Sequence, residues 1–177
     1  QLLICAGGTG GGVYPAFAVL DALNAEPFDP STGSGQRLAQ GKRSALNILW
    51  VGGEGGMEAS LVQRAGIPFT AIPAAGLHGV GLRTLPRNLA KLARGYLAAR
   101  KIVQEFRPNA LFFTGGYLAA PMALAGARIP TLRYVPDIEP ALALKTIARF
   151  ADRIAVTAPD SKRYFPPRAR IVETGYP

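Results

Sequence analysis

The chain opens on a short apolar run within Gln1–Ala6 (QLLICA) that shows no polar alternation. A run of this kind predicts a strand buried on both faces of a sheet. It feeds GGTGGG, and Val13–Asn24 then carries apolar residues at helical spacing, with Ala16, Phe17, Leu20 and Leu23 as the repeat. Strand, glycine-rich turn and helix are the opening of a βαβ unit. The pattern recurs. Leu46–Val51 predicts a strand ending in GGEGG, MEASLVQRAG a helix stopped at Gly66, and Ile67–Ile72 another strand. Ala110–Thr114 predicts a strand that ends in GGY, followed by a buried helix over Leu118–Ala127. Thr131–Val135, a helix over about Pro140–Phe150, Arg153–Val156 and Ile171–Glu173 complete the series. Such alternation predicts an α/β protein: a Rossmann-like, mostly parallel sheet with right-handed crossovers and helices on both faces.

Two stretches need separate treatment. Residues 110–127 hold no charged side chain and approach the length of a membrane-spanning helix. Thr114, Gly115, Gly116, Pro121 and Gly126 interrupt them, so they read as strand, turn and helix. Residues 26–44 (EPFDPSTGSGQRLAQGKRS) are poor in apolar side chains and read as a mobile loop within one domain that spans 1–177.

Composition narrows the function. A length of 177 residues, 49% of them hydrophobic, suits one ordinary domain with a sizeable core and excludes global disorder. Cys5 is the only cysteine and His78 the only histidine, which excludes a disulfide framework and makes a cysteine or histidine metal site a poor fit. His78 sits in a glycine turn and reads as a surface residue. No cofactor is expected. Neither a basic n-region nor a cleavage site suggests secretion, so a cytosolic location is expected. Twenty Lys and Arg stand against eleven Asp and Glu, a net charge of +9. That balance points to an anionic partner: nucleic acid, a phosphorylated substrate or acidic lipid. A generic basic surface is the plainer alternative.

The basic residues are concentrated between Leu82 and Phe106. At helical spacing Arg83, Arg87, Lys91, Arg94 and Lys101 share one sector of about 80°. Leu85, Leu89, Leu92, Tyr96, Ala99, Val103 and Phe106 take the other side, and the Leu85–Pro86 bond marks the expected start. One reading is a crossover helix with a solvated basic face. The other adds that Arg83, Arg87, Lys91 and Arg94 meet anionic lipid headgroups, with apolar residues of the preceding turn AAGLHGVGL entering the membrane.

Three glycine turns, at 7–12, 52–56 and 115–117, follow three strands. In a parallel sheet all three lie on the carboxyl edge, where open α/β folds bind ligands. Glycine allows backbone N–H groups to approach phosphate oxygens, and a following helix favours the negative charge. Val13 spoils a GxGxxG fingerprint and no Lys-Ser/Thr pair completes a Walker loop. A phosphate or sugar-phosphate crevice is the reading that three turns on one edge favour. Asp137 and Glu139, in YVPDIEPA, follow a strand and can face the same crevice; Asp137 also suits a helix cap. No Ser-His-Asp arrangement and no D-x-D metal-binding pair is present.

Taken together, GGTGGGVYPAFAVLDAL, WVGGEGGMEASLVQRAGIPF, FRPNALFFTGGYLAAP, IARFADRIAV and the final TGYP resemble the N-terminal half of the MurG family. The resemblance covers nearly the whole chain apart from 26–44. It implies a two-domain GT-B fold of which this is the acceptor-side, N-terminal domain, with the donor domain outside these residues. It further implies metal-independent, inverting transfer of N-acetylglucosamine from UDP-GlcNAc, held mainly by the absent domain, to a lipid-pyrophosphate-linked acceptor of peptidoglycan synthesis. The implied setting is peripheral, on the cytoplasmic face of the cell membrane. Gly7, Gly8, Thr9, Gly10, Gly11, Gly12, Gly115, Gly116 and Tyr117 would then bind the acceptor pyrophosphate, and Asp137 or Glu139 would act as base.

The chain departs from the family at Gly12, where GGTGGH places His; at Ala119, where Ser is usual; and at Tyr134–Asp137, where H-E-Q-N is usual. It is therefore a divergent member, and a related lipid-linked or glycosyl acceptor is open to it. A missing initiator Met and the TGYP end read as the limits of a trimmed piece. A non-catalytic, membrane-recruiting subunit paired with a separate donor domain is the rival reading. A nucleic-acid-binding domain is disfavoured, because clustered aromatics and a known motif are absent.

Overall fold

A computed structural model describes residues 1–7, 10–24, 46–74, 85–115, 118–139 and 151–177. The expected loop at 26–44, the expected helix at 140–150 and the turn around His78 fall outside the described residues.

Seven strands form one parallel sheet: β1 (Leu2–Cys5), β2 (Ile48–Gly53), β3 (Phe69–Ile72), β4 (Ala110–Phe113), β5 (Thr131–Val135), β6 (Arg153–Val156) and β7 (Ile171–Glu173). Their order is β3-β2-β1-β4-β5-β6-β7. The chain builds outward from β1 in one direction and then, from β4, in the other. This is the doubly wound arrangement, with its switch point between β1 and β4. Leu2 pairs with both Ile48 and Ala110, and Cys5 with Val51 and Phe113. Leu3, Ile4 and Cys5 are fully buried, as a central strand covered on both faces requires.

Four α-helices lie among the described residues: α1 (Gly10–Asn24), α2 (Glu58–Arg64), α3 (Leu85–Phe106) and α4 (Ala119–Ala125). Alternate strand positions separate two cores. Ile4, Trp50, Phe112 and Tyr134 face Val13, Ala16 and Leu20 of α1 and Val62 of α2. Leu3, Cys5, Leu111 and Phe113 face Ala99 of α3 and Met122 of α4. Trp50 stacks on Phe17 with ring centroids 4.9 Å apart, and its indole N–H donates to the Ala6 carbonyl at 2.8 Å. Gly66 stops α2 as expected, with a φ of 70° that side chains disfavour. The uncharged stretch resolves into β4 and α4, and no described helix is long and apolar enough to cross a membrane.

Two expectations need correcting. First, α1 begins at Gly10, not Val13, so the glycines form its first turn. Glycine is a poor helix former, but packing overrides propensity here. Pro15 offers no N–H to the Gly11 carbonyl, and the buried Thr114 hydroxyl donates to the carbonyl of Gly12, tying the turn to the end of β4. Second, Leu89 does not face the sheet: it is 51% exposed. The reason is how far α3 reaches. Gly95 is buried, and a Cβ there would overlap the carbonyl oxygen of Pro73, just past the end of β3. Residues 87–94 therefore run on past the carboxyl edge of the sheet, by about 12 Å at 1.5 Å per residue.

Candidate functional site

The carboxyl ends of β1 and β4 lie side by side at the switch point, and there the first and third glycine turns pack directly together. A Cβ on Gly115 would sit 3.0 Å from the Gly7 nitrogen and 3.1 Å from its carbonyl oxygen. A Cβ on Gly12 would sit 3.1 Å from the Thr114 carbonyl oxygen and 3.2 Å from the Gly115 Cα. Gly7, Gly12 and Gly115 thus meet with no room for side chains. Gly10, Gly11 and Gly12, as the first turn of α1, hold N–H groups that no helical carbonyl takes, at the positive end of the helix dipole. Gly11 is exposed.

The second turn is built differently. Glu58, the first residue of α2, is fully buried, and its Oε1 accepts the Gly53 N–H at 2.8 Å. A Cβ on Gly7, Gly52 or Gly56 would collide with the Glu58 side chain. The glycines of GGEGG are therefore a cradle for a carboxylate that joins the first two turns, rather than an open phosphate loop. Sequence reasoning missed Glu58; its signal was an acid in the first turn of a helix directly behind a glycine run.

Sequence reasoning also missed Arg133, in the middle of β5. It is 1% exposed, between Phe113 and Ile154 in the sheet register. Its Nη2 donates to the Gly115 carbonyl at 3.5 Å, its Nε has no partner, and it makes no ion pair among the described residues. Burial lowers its pKa to about 10, which leaves it a cation at neutral pH. Burial likewise pushes the Cys5 thiol up to about 12, with Arg133 pulling it down and Glu58 raising it further. A charged residue inside TLRYV, an otherwise apolar strand buried on both faces, was the available signal.

Among the expected site residues, Gly7, Gly10, Gly11, Gly12 and Gly115 are brought together. Gly8, Thr9, Gly116 and Tyr117 fall outside the described residues. Asp137 and Glu139 are exposed, in the bend that follows β5 on the same sheet edge. Arg87, Lys91 and Arg94 are exposed on the overhanging part of α3, and Arg83 falls outside the described residues. Because α3 follows β3, its overhang and the glycine turns share one edge of the sheet. Among the described residues no group of three or more His, Cys, Asp or Glu could hold a metal ion.

Residues 2–156 match the glycosyltransferase family 28 N-terminal domain. The UDP-N-acetylglucosamine--N-acetylmuramyl-(pentapeptide) pyrophosphoryl-undecaprenol N-acetylglucosamine transferase of Roseiflexus sp. (strain RS-1) is 44% identical over 164 residues, covering 89% of this chain and 37% of that protein. The enzyme of the same name from Desulforudis audaxviator (strain MP104C) is 37% identical over 182 residues, covering 100% of this chain and 44% of the relative. The chain thus spans about two fifths of the length of these curated relatives. The crystal structure of Acinetobacter baumannii MurG superposes with a TM-score of 0.72 at 25% identity, over 99% of this chain and 46% of the other. The fold agrees with these likenesses, and the family match spans most of the chain: the chain belongs to glycosyltransferase family 28, as a Rossmann-like N-terminal domain of the MurG type.

Proposed function

We propose that the chain is the acceptor-binding half of a hexosyltransferase that moves N-acetylglucosamine from UDP-GlcNAc to a lipid-pyrophosphate-linked acceptor. The observation that carries this reading is the junction of the first and third glycine turns at the switch point. The pyrophosphate would lie against the first turn of α1, where unbonded N–H groups and the helix dipole favour an anion. The enzymes named above are transferases to a pyrophosphoryl-undecaprenol acceptor, which supports this choice of anion. The donor sugar would be held mainly by a second domain outside these residues. Inversion requires a base that takes the acceptor hydroxyl proton as the oxygen attacks the anomeric carbon. Asp137, with Glu139 close behind, is the candidate on the correct edge. Gly12, in place of the family's His, removes one proton acceptor from the crevice and leaves the main-chain donors intact.

The overhang of α3 supports a peripheral membrane setting on the cytoplasmic face. It presents Arg87, Lys91 and Arg94 on one side and the exposed Leu89 on the other, on the edge where a lipid-linked acceptor would enter. Basic residues and an exposed leucine on one overhanging helix suit the headgroup region of an anionic bilayer.

Titration of a soluble pyrophosphate-bearing acceptor analogue into the wild type and Gly11→Val tests the reading. Valine in the exposed first turn should obstruct the anion and weaken binding at least tenfold, with circular dichroism confirming the fold. Equal binding by a folded variant would remove this turn from the site.

A further inference from the structure

We propose that Arg133 is the buried cation of the anion site: it charges the floor beneath the junction of Gly7, Gly12 and Gly115 and turns the Gly115 carbonyl away from a phosphate group. The inference rests on the pyrophosphate reading above and adds to it a residue on which the family resemblance is silent.

The argument begins with what surrounds the guanidinium. Arg133 is flanked in the sheet by Phe113 and Ile154, both buried apolar residues. Buried cations are normally paired with carboxylates or fully hydrogen-bonded. Arg133 has neither support: one long bond to the Gly115 carbonyl, an orphaned Nε and no ion pair among the described residues. Glu58, the nearby buried acid that also acts on Cys5, is engaged with the Gly53 N–H and is not an ion-pair partner of Arg133. A full positive charge thus stands without an ion-pair partner among the described residues.

The one polar contact among the described residues shows which way that charge is directed. Gly115 is the residue on which Gly7 and Gly12 close. By holding the Gly115 carbonyl, Arg133 draws an oxygen that would repel an anion toward the protein interior. Its charge also adds to the helix dipole of α1 at the same junction. An anion arriving there supplies the missing counter-charge, so the ligand-free domain is the less compensated state. The chemistry that fits is a phosphate or pyrophosphate group, borne by a lipid-linked acceptor or free in solution.

Inorganic pyrophosphate, the soluble acceptor analogue and UDP should each be titrated into the wild-type chain, Arg133→Met, Arg133→Lys and Gly11→Val. Thermal unfolding should be followed with and without each ligand. Arg133→Met should lose at least tenfold in affinity for pyrophosphate, while its ligand-free midpoint stays level or rises. Arg133→Lys, which keeps the charge, should stay within about threefold of wild type, an expectation from charge conservation alone. Tighter binding of the analogue than of pyrophosphate assigns the site to the lipid-linked source; equal binding assigns it to free anions.

A folded Arg133→Met that binds pyrophosphate as the wild type does would overturn the proposal, even with Gly11→Val defective, and would leave the glycine-turn reading standing. The reverse pattern would keep Arg133 and remove the first turn. Absence of pyrophosphate binding by the wild type overturns both. Should Arg133→Met not fold, Arg133→Lys decides: a tenfold loss with charge retained would also sink the proposal.

Discussion

Glu58 and Arg133 are both buried at the carboxyl edge of this sheet, and both act on the Cys5 thiol. Their surroundings differ in kind. Glu58 sits in a cradle of Gly7, Gly52 and Gly56 and accepts a backbone N–H at 2.8 Å. Arg133 has a single 3.5 Å contact and an orphaned Nε. The acid has a backbone donor and a fitted cradle, whereas the cation has no ion-pair partner among the described residues. Burial alone therefore does not separate support from function; the number and geometry of partners do.

Four measurements would break or sharpen that contrast. The largest effect is expected from Glu58→Ala. It strands the Gly53 N–H and empties the cradle, at a cost of about 3 kcal/mol in urea unfolding. A loss below about 1 kcal/mol would show that the cradle collapses without penalty. Arg133→Met should move stability the other way, a gain of roughly 2 kcal/mol, since an uncompensated buried charge gives way to an apolar chain of similar reach.

The third measurement uses pH. The Cys5 thiol ionises near 9.0 in the unfolded chain and near 12 when folded. Its stabilisation is complete below pH 9 and is lost as pH rises toward 12. Between pH 8 and 10 the cysteine's contribution should fall by about 1.4 kcal/mol, and Cys5→Ala should flatten that slope. Arg133 acts in the opposite sense, because its folded pKa of about 10 lies below the ordinary 12.5. Its penalty is full well below pH 10 and is already relieved by about 0.4 kcal/mol at pH 10, so the difference between wild type and Cys5→Ala, rather than a pH window, isolates the cysteine. The smallest stability effect belongs to the double change Arg87→Ser and Lys91→Ser, within about 0.5 kcal/mol. Its expected readout is instead weaker sedimentation with anionic vesicles, sensitive to salt near a screening length of about 8 Å. Unchanged sedimentation would make the overhang ordinary solvated surface.

Much of the fold was legible because the strands are continuous apolar runs, which only a sheet covered on both faces accommodates. The glycine turns followed from the same reading, since each ends such a run. What stayed hidden depended on contacts made across the fold. The start of α1 lies in glycines whose propensity argues against a helix. The periodicity of α3 gave its faces but not its reach, so Leu89 was assigned to a sheet that ends before it. Glu58 and Arg133 were passed over because charged residues are surface residues by default. Only the strand order places them inside. Asp137 and Glu139 were found by position after a strand, a signal that gives the edge and not the contact.

The pairing of β1 has a consequence for how the domain is made. Leu2–Cys5, which precedes the other six strands in the chain, is the middle of the sheet, joined to residues 48–51 on one side and 110–113 on the other. One edge of the central strand therefore stays unpaired until residues 110–113 have been synthesised. Non-local closure of this kind slows folding, and an open apolar edge invites association with other chains. The contact of Gly7 with Gly115 forms only once β4 has docked, so the junction of the two turns proposed as the anion site cannot be assembled before then. A fragment that stops short of residue 110 should accordingly aggregate rather than present half a site.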